Sequence, residues 1–307
     1  MLADHVAADA DRYAAQFARR EPFRHVVIER FFTDAVAQAL LETFPPFEKG
    51  NARNEAGVPG NKSTVERIRN LGSIYAALDD QIRSPGFLAL ISRITGIPDL
   101  QYDPWYFGGG THENRNGQDL DPHVDFNRHP VEPWHRRLNL IVYLNPEWDD
   151  AWGGSLELHS DPRAADNRIT TVTPLFNRAV IFETTEWSWH GFSRITLPPE
   201  RAGTSRRSIA LYFYTSDRPA DELASPHATI YVDRPLPARF AEGHTLTAQD
   251  VAELRQLIDR RDQHNRRLYD DIRRLGDQVA QLKRAVGGGL LGGMRYLAGR
   301  ALALLRK

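Results

Sequence analysis

The 307-residue chain contains no cysteine. That absence excludes disulfides, thiolate-ligated zinc, iron–sulfur clusters and thiol nucleophiles together, and it fits a reducing cytoplasm. No apolar run approaches the ~18 residues of a membrane span, so no transmembrane helix is expected. The opening stretch, MLADHVAADADRY, has no apolar core, and no secretory signal is expected. Nor does one charge dominate: 39 Lys/Arg stand against 40 Asp/Glu, and no nucleic-acid partner is expected. Apolar residues at 41% and charged residues at 26% are ordinary globular values, which excludes disorder for the bulk of the chain. At about 150 residues per domain, the length suits two domains or one large β domain with helical additions. Any metal here must be held by His, Asp or Glu.

The near-neutral total hides an asymmetry. From residue 251 onward there are 13 Lys/Arg against 6 Asp/Glu, a surplus of seven, while the first 250 residues carry a deficit of eight. The first 99 residues predict a helical support with one short strand. Residues 25–30 (HVVIER) predict that strand, followed by a helix over 34–43 with Thr33 as its cap and Pro45-Pro46 as its stop. The polar stretch 50–64 predicts a surface loop, and 66–82 and 85–95 predict two more helices. From residue 100 to 240 the character changes to short β-rich runs: 101–107, 121–126, 136–144, 154–159, 168–173, 178–183, 188–195, 206–214 and 228–232. Without any βαβ alternation, this spacing predicts a jelly roll of the cupin type, that is, a mostly β fold with helices added.

After Thr247 the pattern is helical again, with Asp250 completing a capping box. Val251, Leu254, Ile258, Leu268, Ile272, Leu275, Val279, Leu282 and Val286 recur at steps of 3 and 4, interrupted only by Arg261 and Asn265. A 3.5-residue period predicts a coiled-coil seam over 251–286 and hence a homo-oligomer, most simply a dimer; the other reading is an amphipathic helix packed on its own barrel. Beyond Gly287–Gly289, residues 290–307 form an apolar stripe with a basic flank. That suits either an anionic membrane surface or docking on a partner subunit.

The chemistry concentrates in three runs. In DPHVDFN, His123 and Asp125 are two apart on a predicted strand, so both side chains point to one face. A third ligand must come from elsewhere, and His190 in EWSWHGF is the best candidate. Two imidazoles and one carboxylate with open positions describe a non-haem Fe(II) site, although the same donors suit zinc or manganese. In SRRSIALYFY, Arg206 and Ser208 share one face, whereas Arg207, Ile209, Leu211 and Phe213 share the other. An interior guanidinium needs a fixed anion, and a dicarboxylate ligand would supply it. In RRLNLIVYLN, Asn139, Ile141 and Tyr143 face away from Leu138, Leu140 and Val142, toward such a ligand. Trp187 and Trp189 flank His190 and are candidates for lining a substrate mouth, with Asn139 as a further substrate contact; Trp105 and Trp134 fit the core equally well.

The succession HVDF, RRLNLIVYLNPEWDDAWGGSLELH, FETTEWSWHGF and RRSIALYFYT resembles the Fe(II)/2-oxoglutarate-dependent dioxygenases of the prolyl 4-hydroxylase-like group, the bacterial type especially, over about residues 85 to 235. The resemblance implies a double-stranded β-helix and an enzyme that hydroxylates an unactivated C–H with release of succinate and CO2. By motif position, His123, Asp125 and His190 would ligate iron. Arg206 and Ser208 would hold the distal carboxylate of 2-oxoglutarate, Tyr143 would donate its hydroxyl, and Tyr106 would stand near the cosubstrate. Implied cofactors are Fe(II), 2-oxoglutarate and O2, with ascorbate as an optional reductant. Peptidyl or free proline is the family substrate; the alternatives are a small-molecule, sugar or lipid-linked substrate, or a non-catalytic metal-binding scaffold. A cytoplasmic location is expected, with 290–307 as a potential contact at the inner membrane surface.

Overall fold

A computed structural model describes residues 1–19, 21–50 and 62–287. The chain divides into two compact units, Met1–Arg234 and a second beginning at Pro235. In the first unit, twelve strands among the described residues form two antiparallel sheets. They are β1 (His25–Ile28), β2 (Ser63–Val65), β3 (Gln101–Tyr102), β4 (Gly110–Asn114), β5 (Leu120–Val124), β6 (His135–Tyr143), β7 (Leu156–His159), β8 (Ile169–Val172), β9 (Ala179–Glu183), β10 (Trp189–Phe192), β11 (Arg206–Thr215) and β12 (Ile230–Tyr231). The larger sheet runs β1-β9-β6-β11-β4-β2, with β3 also paired to β11, and the smaller runs β12-β5-β10-β7-β8. This is a jelly roll, the double-stranded β-helix that the strand spacing predicts.

The period-2 alternation of the sequence gives each face of the larger sheet its own partner. Leu138, Leu140 and Val142 of β6 stand opposite Phe213, Leu211 and Ile209 of β11. All six are buried against helices α1 (Asp4–Ala8), α2 (Ala10–Phe17), α3 (Asp34–Glu42), α4 (Ser73–Ile82) and α5 (Pro85–Thr95). On the inner face, Tyr143, Val180 and Phe182 pack with Leu156, Leu158 and Val172 of the smaller sheet. The helices therefore brace one sheet while the two sheets enclose the site between them.

Several expected boundaries move, each for a local reason. Residues 1–99 do not stand apart as a support, because β1 and β2 are strands of the larger sheet. The helix expected over 66–82 begins only at Ser73: Arg67 (φ 53°) and Gly72 (φ 133°) are left-handed or beyond helical reach, and a short 3-10 turn, Ile68–Leu71, lies between them. The strand expected over 101–107 ends at Tyr102, since the Asp103 carboxylate captures the N–H groups of Trp105 (2.8 Å) and Phe107 (3.1 Å) and turns the chain. Thr33 occupies the N-cap of α3, yet its hydroxyl makes no cap bond. Residues 51–61, most of the expected loop, lie outside the described residues.

The second unit contains α6 (Ala248–Gly287). Its start is a reciprocal capping box: the Asp250 N–H donates to Thr247 Oγ1 (3.2 Å) and the Thr247 N–H to Asp250 Oδ2 (2.9 Å). The hydroxyl of Thr247, with that backbone bond and the Arg239 guanidinium, holds the Asp250 carboxyl well below its ordinary range. Ile258, Leu268, Ile272, Leu275, Val279 and Leu282 are all exposed along this helix. Residues 290–307, with their expected basic amphipathic helix, lie outside the described residues. Among the described residues no helix is long and apolar enough to cross a membrane.

Candidate metal centre and anion pocket

His123 and His190 meet because β5 and β10 are antiparallel neighbours and pair these two residues directly. Gly191 permits the approach: a Cβ there would stand 2.6 Å from the Leu120 carbonyl oxygen. The two imidazole rings are 4.2 Å apart, and Asp125, one residue past the end of β5, completes the cluster. His123 Nε2 is 3.7 Å from Asp125 Oδ1, and His190 Nε2 is 3.5 Å from Asp125 Oδ2. Each Nδ1 lies 2.9 Å from a backbone carbonyl, of Asp121 for His123 and of Ser188 for His190. Carbonyls only accept, so Nδ1 carries the proton and both Nε2 lone pairs are free for a ligand.

Electrostatics agree with that tautomer. Burial pushes the His123 imidazolium down to about 3, with His190 beside it adding to the shift. His190 is likewise lowered by burial, against the opposing pull of Asp125. For Asp125, burial alone would favour the neutral acid, but Arg136 and the two histidines overcome it and the carboxyl sits well below its ordinary range. Two neutral imidazoles and a carboxylate, with ligand atoms within 4.8 Å of one another, fit one divalent cation.

Arg206 faces the same interior. His190 and Phe192 share the inner face of β10, one pleat repeat of about 7 Å apart, and the Arg206 guanidinium sits 4.3 Å over the Phe192 ring. Its Nε donates to the Gly154 carbonyl (2.6 Å) and one terminal nitrogen to the Tyr143 hydroxyl (3.2 Å). Among the described residues no carboxylate pairs with it, and burial lowers its proton affinity. Ser208, also buried, stands opposite Tyr143 on β6 and His112 on β4. Arg207 is on the other face, bonded to Glu113 (3.3 Å). The interior thus presents a desolvated cation with spare donors beside a vacant-lone-pair triad, which suits an acid that both chelates a metal and carries a second carboxylate.

Three candidates are engaged elsewhere: Tyr106, Asn139 and Trp189. The Tyr106 hydroxyl donates to Asp79 (2.7 Å) in the helix-side core, sharing that oxygen with the Tyr102 hydroxyl, so it does not reach the cosubstrate pocket. Asn139 donates to Asp125 Oδ2 (2.8 Å) and is not at a substrate surface. Trp189 is buried with Arg163 stacked 4.5 Å over its ring, while Trp187 is exposed. Three interior residues went unread in the sequence: Arg136, His112 and Asn114. β4 (GTHEN) has no apolar alternation because its inner residues His112 and Asn114 stand opposite Ser208 and Arg206 of β11; the alternation of Gly110, His112 and Asn114 was the signal available. Arg136 is hidden by a bulge. β6 slips against β11 between Leu138 and Arg136, so Arg136 faces inward with Asn139 although the two are three residues apart.

The sequence model of the 2OG-Fe(II) oxygenase superfamily matches residues 109–214, from the edge of β4 almost to the end of β11, and spans all three triad residues with Arg206 and Ser208. Residues 109–214 of this chain are thus similar to a 2OG-Fe(II) oxygenase domain. Within that class the chain is 34% identical over 112 residues to prolyl 3-hydroxylase OGFOD1 of Mus musculus, covering 32% of this chain and 20% of that protein. It is 31% identical over 102 residues to the Xenopus laevis protein of the same name, covering 32% and 19%. The chain thus matches about a fifth of the length of these relatives. A solved prolyl 4-hydroxylase from Phytophthora capsici superposes with a TM-score of 0.51 at 18% identity over 97% of this chain and 95% of that one, which places the two in one fold.

Proposed function

We propose that this protein is a 2-oxoglutarate-dependent dioxygenase that hydroxylates an unactivated C–H, with peptidyl or free proline as substrate and succinate and CO2 as products. One observation carries the reading: a buried Arg206, without a carboxylate partner among the described residues, packs on Phe192, which is one strand repeat from His190 of the converging His123–Asp125–His190 set. In that reading the triad would hold Fe(II), and Arg206, with Ser208 and the Tyr143 hydroxyl, would receive the distal carboxylate of 2-oxoglutarate. Bound Fe(II), with 2-oxoglutarate and O2, supplies the oxidising power that no side chain here has. The protein's own work is to bind, orient and keep water out, with Phe182 (4.7 Å from the His190 ring) and Tyr231 (5.2 Å from the His123 ring) closing the walls. A non-catalytic scaffold would leave the buried Arg206 with neutral partners only among the described residues, at a cost of several kcal/mol.

The direct test is succinate formation from 2-oxoglutarate with Fe(II) and O2, alone and with free proline or proline-containing peptides. Turnover is expected without substrate at a low rate and is expected to rise with the correct proline. No 2-oxoglutarate consumption under any condition would overturn the reading, whereas stimulation by a sugar or other small molecule in place of proline would change the substrate class alone.

We further propose that α6 joins two copies of this chain. The support is the exposure of apolar residues recurring at steps of 3 and 4 from Ile258 to Leu282. Full-length protein is expected to sediment as a dimer, and the double substitution Ile272→Asp, Leu275→Asp to sediment as a monomer. A full-length monomer would sink the proposal. Contact of residues 290–307 with an anionic membrane on the cytoplasmic side rests on sequence alone and belongs to the same proposal.

A further inference from the structure

Asp125 has one oxygen already engaged. Asn139 Nδ2 donates to Oδ2 at 2.8 Å, and a terminal nitrogen of Arg136 lies 3.1 Å from the same atom. Arg136 also donates to Asn139 Oδ1, through Nε at 3.2 Å and the terminal nitrogen at 2.8 Å, so hydrogen bonds and one ion pair link the three side chains in a ring. The guanidinium cannot swing away. It is fully buried, with the Tyr212 ring 3.7 Å and the Phe126 ring 4.4 Å from its central carbon. The β6 bulge presents it at this depth. Oδ1 is in a different state: it accepts no hydrogen bond among the described residues, and while His190 Nε2 stands 3.5 Å from the engaged Oδ2, His123 Nε2 stands 3.7 Å from Oδ1.

Oδ2 accepts the Asn139 hydrogen bond and pairs with the Arg136 cation, so it is engaged from two sides while Oδ1 accepts nothing among the described residues. We infer that Asn139 and Arg136 are positioning residues that commit Asp125 to ligating metal through Oδ1 alone. The inference rests on the triad being a metal site, as proposed above. Its consequence is a count of open positions. A six-coordinate ion held by three protein atoms has three positions left, enough for a chelating cosubstrate and one more ligand. A two-oxygen grip by Asp125 would remove one of them. The ring also fixes the carboxylate plane before metal arrives, so little ordering cost remains at binding.

The experiment uses full-length protein and Co(II) as the probe, followed by calorimetric titration and by the visible absorption of the bound ion. Asn139→Leu keeps the side-chain volume but loses both the donor to Asp125 and the acceptor for Arg136. Its Co(II) affinity is expected to fall by about 10–100-fold, with a changed absorption envelope, because the carboxylate is free to turn. Arg136→Lys keeps the charge and loses the fork, and a smaller fall in the same direction is expected. Should Asn139→Leu fail to fold, as judged by circular dichroism, Asn139→Ser supplies the same two readouts. A folded Asn139 variant with wild-type affinity and an unchanged spectrum would overturn the clamp. Wild-type protein that takes up no Co(II) would overturn the metal site itself, a different and prior failure.

Discussion

Asp125→Asn is expected to abolish tight Fe(II) binding and 2-oxoglutarate turnover while the protein stays folded; Asp125→Ala is expected to lose both and to be destabilised as well. Three ligands are the minimum set on one face of the ion, so removing the only anionic one should cost more than the ~10–100-fold that loss of an outer partner costs. The difference between the two variants comes from Arg136. That guanidinium is fully buried and Asp125 is its carboxylate partner at 3.1 Å. Alanine leaves the cation unpaired, a penalty of about 3–5 kcal/mol for a broken buried pair. Asparagine keeps an acceptor oxygen in place. His123→Ala and His190→Ala remove neutral ligands, so iron affinity is lost without that penalty. Anaerobic Fe(II) titration and urea unfolding of the metal-free proteins check both halves. Unchanged iron affinity in Asp125→Asn would remove the triad assignment.

Arg206→Ala is expected to raise the Michaelis constant for 2-oxoglutarate by about two orders of magnitude, the equivalent of ~2.7 kcal/mol. A desolvated charged hydrogen bond to a carboxylate is worth that much, and among the described residues the Arg206 side chain bonds only the Gly154 carbonyl and the Tyr143 hydroxyl, leaving donors spare. Stability of the ligand-free protein should fall little, since the substitution removes a buried cation that has no carboxylate partner to orphan. Arg207→Ala serves as the control: its side chain bonds Glu113 on the opposite face and should leave the cosubstrate constant near wild type. Steady-state succinate kinetics and calorimetric titration of 2-oxoglutarate measure the effect. A large increase in Arg207→Ala with none in Arg206→Ala would place the anion on the wrong side of β11.

Tyr106 shows where local reading stops. Its place before the glycine run suggests a cosubstrate contact, but its hydroxyl is spent on Asp79, a residue of α4 that is 27 positions earlier in the chain. Nothing between residues 101 and 109 announces that bond. The difference between Arg136 and Arg137 is similar. Strict alternation puts Arg137 beside Asn139 on the inner face, whereas the structure gives Arg137 to Glu183 (3.1 Å) and Glu222 (3.0 Å) and turns Arg136 toward Asp125.

What the sequence by itself determined is whatever depends on one strand or one helix turn. The separation of Leu138, Leu140 and Val142 from Tyr143, the separation of Arg206 from Arg207, and the Thr247–Asp250 cap all follow from backbone periods and from short-range bonds. These hold because their partners lie a few residues away or on a face that the pleat dictates. The meeting of His123 with His190, the orientation of Asp125 by Asn139 and Arg136, and the polar lining supplied by β4 were decided by tertiary structure. Each depends on which strands become neighbours and where one slips past another, and a bulge that displaces pairing by a single residue reverses every inward and outward assignment on its far side.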